Sequence, residues 1–194
     1  MASLGHVAVG MLAGRTIADH SRSRALAPML ICSGLSLLPD LDYVGVMLGV
    51  PDAGPCGHRG ATHSLVLPLL VAVAAAAMRP REGLSRWRLG LICGLVVASH
   101  PFLDALTVDS RGVPLLWPIS FTRFQMPWRP IPNAPCGFEF VSLTGLRVAS
   151  VELLMFLPLL LLALWPPQAR SRRRKPPAPR TVGAAAGPQS RLAA

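Results

Sequence analysis

Four stretches of this chain, 25–39, 64–78, 89–103 and 153–169, contain no Asp, Glu, Lys or Arg. An amphipathic helix on a soluble core shows a polar position every three or four residues, and here whole runs lack charge. Each run is shorter than the roughly 20 residues that span a bilayer core, but flanking residues can lengthen it. Those flanks hold the unusual polar groups. The stretch 4–18, LGHVAVGMLAGRTIA, is a fifth candidate: Gly10 and Gly14 are spaced for close packing of membrane helices, and Arg15 can snorkel to the interface. The expectation is an all-α fold, a polytopic membrane helix bundle of four or five spans.

Composition agrees. The chain is 52% hydrophobic and 14% charged, against about 25% charged in soluble domains. Its net charge of +10 raises nucleic acid as a partner. Position argues otherwise, because the densest basic cluster, 170–175, directly follows an apolar run, where cytoplasmic flanking charge belongs. The bilayer is the expected partner and nucleic acid is not. No charged n-region precedes the first apolar stretch, so targeting is expected to rest on the membrane segments.

If the runs span alternately, Arg15, Arg22 and Arg24, then Arg79, Arg81, Arg86 and Arg88, then the basic tail all fall on one side. That side takes most of the 19 basic residues, and such asymmetry marks a cytoplasmic face. The N-terminus, the connection carrying HRGATHS (58–64) and a long connection at 107–147 are then extracytoplasmic. Residues 1–165 form one membrane-embedded domain in this reading, and 166–194, rich in Pro, Ala and Arg, a disordered cytoplasmic tail. Cys32 and Cys93 sit in apolar runs as small hydrophobes. Cys56 and Cys136, each in Pro-Cys-Gly, are open to either a disulfide or free thiols.

The ionisable residues inside or beside the runs gather at one end. Asp40 and Asp42 close the second span, His58 and His63 lead into the third, and His100 and Asp104 stand four apart at the end of the fourth. His6 falls at the same end of the first. That spacing puts His100 and Asp104 on one helix face, although Pro101 can perturb the turn. Ionisable groups in a bilayer are costly and face a bundle interior or a wet cavity. Imidazole and carboxylate together suit zinc, and also manganese or iron. Each residue also has a plain reading: an interfacial His, a helix-ending Asp40, a loop-bonded Asp104, a helix-capping Thr62 or Ser64. Convergence from separate connections favours a shared divalent metal, zinc first and manganese second.

The pieces GHVAVG, LLPDLD, HRGATHS and SHPFLDALTVDSRGVPLLWPIS, followed by RFQMPWRPIP, resemble the YdjM-type family of membrane-bound, predicted metal-dependent hydrolases. The resemblance covers roughly residues 4–132, and rests on the order and spacing of the pieces rather than on any one. A more distant similarity to zinc-dependent phospholipase C and single-strand nucleases implies phosphoester hydrolysis. Carried over residue by residue, it implies metal binding by Asp40, Asp42, His58, His63, His100 and Asp104, with His6 added.

The expected activity is hydrolysis, with Asp42 accepting a proton from water and Arg59 pairing a substrate oxygen. An ordinary headgroup-level charge is the alternative for Arg59. A lipid phosphate suits a site at the lipid–water boundary. The competing class is a non-catalytic membrane protein with a structural or transport metal. Transport favours groups near the bilayer midplane, and structural zinc needs only four closed ligands. The long connection, with Trp117, Phe121, Phe124 and Trp128, is expected on the membrane surface over the site, and Asp109 is expected as a turn former.

Overall fold

Backbone in contact with lipid has to satisfy its N–H and C=O groups internally, and this chain does so with helices. The computed structural model describes residues 3–18, 22–52, 54–80, 84–108, 111–134 and 141–165. Among these residues six α-helices follow in order: α1 Ser3–Ile17, α2 Arg22–Ser36, α3 Asp42–Met47, α4 Val66–Ala77, α5 Arg86–Ala105 and α6 Leu143–Leu164. Short 3₁₀ turns occupy Leu38–Leu41 and Ala61–His63. The only extended pairings among the described residues are two isolated bridges, Thr107 with Ile131 and Val113 with Phe124. The fold is all-helical.

Small residues set the closest packing. A Cβ on Gly10 would lie 2.5 Å from the Ser33 Cα, and one on Gly14 would lie 2.4 Å from the Met29 Cα. The Gly10–Gly14 pair read from sequence therefore does hold α1 against α2. Gly90 and Gly94 of α5 sit the same way on Ala72 and Ala76 of α4. Helix α6 covers α1, with Phe156 over Gly5 and packed with Ala8 and Ile131.

Apart from the short α3, which continues α2 across a bend, successive helices run in opposite directions. Glu152 of α6 meets the start of α1 at Leu4, whereas Arg15 at the end of α1 donates to the Trp165 carbonyl just past α6. One end of the bundle thus holds the starts of α1, α4 and α6 and the ends of α2 and α5. The other holds Arg15, Arg86 and Arg88.

Among the described residues, two helices are long and apolar enough to cross a membrane: α5, with mean hydropathy 1.3, and α6, with 2.0. A third span results if Ala25–Ser36 and Leu38–Met47, bent by 56° at their break, count as one. This is fewer than the four or five expected. Helices α1 and α4 have 15 and 12 residues. At 1.5 Å per residue they reach about 22 and 18 Å, against a hydrocarbon core of about 30 Å. The bend has a local cause: Pro39 cannot donate to the α2 ladder and disfavours helical backbone before it.

Helix α6 starts ten residues before the uncharged run, capped by Ser142, which accepts the Gly145 N–H. It therefore includes Arg147 and Glu152. Asp109, Cys136 and the whole 166–194 tail lie outside the described residues, and with them the turn and the disorder expected there and the choice between disulfide and free thiols at Cys136.

Candidate metal centre

The last carbonyls of an α-helix have no partner within the helix. At the end of α2 the carbonyl of Ser36 finds one: the Nδ1 of His100 lies 2.7 Å away. A carbonyl only accepts, so Nδ1 carries the proton and a neutral His100 turns an Nε2 lone pair inward. Helix α5 runs unbroken through Pro101, and Asp104 sits one turn on, on the same buried face.

The motif HRGATHS folds around a single carboxylate. Asp42 accepts from His58 Nδ1 at 2.8 Å, from the Arg59 backbone N–H at 3.1 Å and from the Thr62 hydroxyl. His63 Nδ1 is 3.1 Å from the same carboxylate. Both Asp42 oxygens are engaged, and the His63 Nε2 is aimed away from them. Ser64, not Thr62, serves the helix that follows, accepting the Val66 N–H and donating to the Ala61 carbonyl.

Four ligand atoms now converge. His63 Nε2 stands 3.6 Å from Asp40 Oδ1 and 3.5 Å from Asp104 Oδ2; His100 Nε2 stands 3.3 and 3.8 Å from the same two oxygens. None of these four atoms has a hydrogen-bond partner, although all are buried. Ligands about 2.0–2.1 Å from a tetrahedral ion lie roughly 3.3–3.4 Å from one another. The observed spacings therefore suit a small cation, and buried ligand atoms that face one another with no hydrogen bond between them call for one. The two histidines are held by Nδ1 in the way that fixes metal-ligating imidazoles. Asp42, His58 and His63 form a second, overlapping group whose atoms are equally close.

His6 lies beside this set rather than in it. Its ring stacks on His100 at 3.8 Å, and its Nε2 is 3.6 Å from Asp104 Oδ1. All seven residues singled out from sequence, with Arg59, are thus brought together at one end of the bundle.

Arg59 is not an ordinary loop charge. It is 1% exposed, with Nε 3.2 Å from Asp104 Oδ2. Its backbone takes the left-handed conformation at φ 61°, rare outside Gly, Asn and Asp. The glycines around it allow the approach: a Cβ on Gly57 would lie 2.2 Å from the Asp52 carbonyl oxygen. Arg123 then fastens the loop by donating to the carbonyls of Arg59 and Gly112. The long connection also bonds across the centre, with Leu65 N–H to the Leu115 carbonyl and Met126 N–H to the Ala105 carbonyl.

Three carboxylates face one guanidinium here, and with His63 neutral, as a ligand must be, two negative charges are left that a divalent cation would neutralise. His63, outside the long helices, shows the same pull. Burial opposes its charge, but Asp104, Asp40 and Asp42 outweigh that and hold its pKa up at about 10.

The family model for the YdjM inner membrane protein matches residues 1–173, which include every one of these side chains. The chain belongs to that family. Among curated relatives, the inner membrane protein YbcI of Escherichia coli (strain K12) is 37% identical over 152 residues, 74% of this chain and 87% of YbcI. The inner membrane protein YdjM of the same strain is 38% identical over 104 residues, 47% of this chain and 48% of YdjM. No solved structure matches the chain. These YdjM-family names place the chain among membrane proteins and state no reaction.

Sequence reasoning missed Ser36 and Glu152, and read Thr62 as a candidate helix cap rather than as a donor to Asp42. Thr62 had a signal, its place inside HRGATHS. Ser36 acts through its carbonyl, which no side-chain pattern records. Glu152, 2% exposed, accepts the Leu4 N–H through Oε2; its signal was a lone acid five residues after Arg147, just outside the uncharged run.

Proposed function

We propose that this protein is a membrane-embedded, metal-dependent hydrolase acting on a phosphoester at the lipid–water interface. The observation that carries the reading is the set of four buried, converging ligand atoms on Asp40, His63, His100 and Asp104, none of them hydrogen-bonded. Those residues would hold a divalent ion, zinc by the His/Asp chemistry and manganese as the alternative. When bound, such an ion supplies a Lewis acid that lowers the pKa of water from about 15.7 toward 7.

The chain's own residues divide the remaining work. The Ser36 carbonyl and Asp42 orient His100 and His63. Because Asp42 is saturated by four donors, we assign it this orienting role in preference to that of proton acceptor. His58 fixes Asp42 in turn. Arg59 places a cation beside Asp104, where it can also hold a phosphate oxygen. His6 closes the α1 side and is the next ligand should the ion take more than four.

The reading includes a topology: α1, α2 with its bent continuation, α4, α5 and α6 as five membrane-crossing elements, the centre on the extracytoplasmic face of the inner membrane and the basic tail in the cytoplasm. It is supported by the alternating helix directions and by Arg15, Arg86 and Arg88 at the end away from the centre.

A second reading, a non-catalytic structural metal, has one observation in its favour. The ligand set is closed: only the Asp40 side chain, 13% exposed, offers solvent an approach. Elemental analysis of the purified protein, together with a phosphoester panel including lipid phosphates run with and without chelator, separates the two. Stoichiometric metal with chelator-sensitive turnover is expected. Metal without turnover selects the structural reading, and absence of metal defeats both.

A further inference from the structure

The chain that leaves α5 beyond Asp104 builds a second concavity. Thr107 bonds back through its N–H to the Asp104 carbonyl and through its hydroxyl to that of Leu103. Val108 then donates to the Ile131 carbonyl at 2.8 Å, beside the Thr107–Ile131 bridge. This pairing sets Val108, Pro130 and Pro132 opposite Arg147, Val148 and Val151 of α6, with an open groove of about 230 Å³ between them. Proline has no N–H, so this wall offers the groove few backbone donors.

Two features define the occupant. Arg147 is exposed at the rim, in the second turn of α6, and no acidic side chain pairs with it among the described residues. Val148 and Val151 continue down the helix from it, away from the end that holds the centre. The neighbouring outward face of α6 is apolar, with Leu146, Leu153 and Leu154 exposed. A guanidinium at headgroup depth above an apolar trench matches an amphiphile with its phosphate at the top and its chain below. Free phosphate would leave the trench unfilled, and a zwitterionic lipid would set a second cation beside Arg147.

We propose that this groove binds one anionic phospholipid, its phosphate on Arg147 and an acyl chain along Val108, Pro130, Pro132, Val148 and Val151. Val108 follows Asp104 by four residues, which puts the groove at the same end of the bundle as the candidate centre. That the lipid is also substrate rests on the hydrolase reading; its binding does not.

The test uses the full chain, purified in detergent and delipidated, then loaded with dioleoyl phosphatidylglycerol, dioleoyl phosphatidylcholine or inorganic phosphate. Native mass spectrometry counts bound lipid, and zinc is measured in parallel. One phosphatidylglycerol should be held at least about tenfold more tightly than phosphatidylcholine, a difference of about 1.4 kcal/mol. Arg147→Ala should erase the preference and Val151→Trp should block both lipids, with zinc content unchanged in each. Arg88→Ala, at the opposite end of the bundle, should change nothing. The inference is overturned if Arg147→Ala binds as the parent does, if inorganic phosphate displaces the lipid at equal concentration, or if Arg88→Ala weakens binding as much as Arg147→Ala. Lipid bound as expected by a chain that holds no zinc and turns over no ester would uphold the groove and remove only the hydrolase reading.

Discussion

The end of the bundle that holds the histidines and the outer face of α6 reverse the usual layout of a soluble protein. At the first, His6, His63, His100, Asp104 and Arg59 are all hidden. On the second, leucines are exposed, and only 17% of the α6 apolar window is buried in the protein, against 50% for α5. Lipid supplies the missing apolar environment for α6, so its side chains need no partners. The ionisable groups have no such recourse: they are held at defined distances, and several of their buried atoms are left without a hydrogen bond. Sensitivity to substitution should follow that difference, steep at the centre and shallow on α6.

The largest effect should come from His63→Ala combined with Asp104→Ala. Elemental analysis should find no bound metal, while fractionation still finds the protein in the membrane. Full metal content in that variant would dissolve the comparison. Asp42→Ala should be next, since removing the group that orients a ligand lowers metal affinity by about 10–100-fold; competition with a chelating dye reads it directly. Wild-type affinity there would mean that His63 needs no orienting partner.

Gly14→Leu probes a third environment, the α1–α2 seam. A side chain 2.4 Å from the Met29 Cα has nowhere to go, and overpacking of this kind costs about 1–3 kcal/mol. A lowered midpoint of thermal unfolding in detergent is the expected result. Glu152 sharpens the contrast inside α6 itself. Glu152→Leu strands the Leu4 N–H, a penalty of about 1–3 kcal/mol, whereas Glu152→Gln keeps an acceptor and should cost less. Leu154→Ala and Leu162→Ala should be nearly silent, within about 0.5 kcal/mol. A large loss at either would mean that α6 is covered by protein rather than by lipid.

Much of this was legible in the residues. Uncharged runs announced the helices, Gly10 and Gly14 announced the seam, and the coincidence of LLPDLD, HRGATHS and SHPFLD at one end announced the centre. What stayed hidden has physical reasons. The lengths of α1 and α4 depend on where backbone hydrogen bonding stops, which hydropathy does not encode. The start of α6 was placed late because Glu152 reads as a solvated charge until its burial beside Leu4 is known. A carboxylate that grips a ligand and one that serves as a ligand look alike in a linear pattern, so the sequence groups Asp42 with the histidines without dividing their roles.

The hydrogen bond from His100 to the terminal carbonyl of α2 gears the two halves of the molecule together. Helix α2 is also the partner that meshes with α1 through two glycines, so any sliding along that seam would swing the bearing of an imidazole. Cation affinity would then report helix alignment from a distance, and a bilayer that strains the seam would be felt in the chemistry.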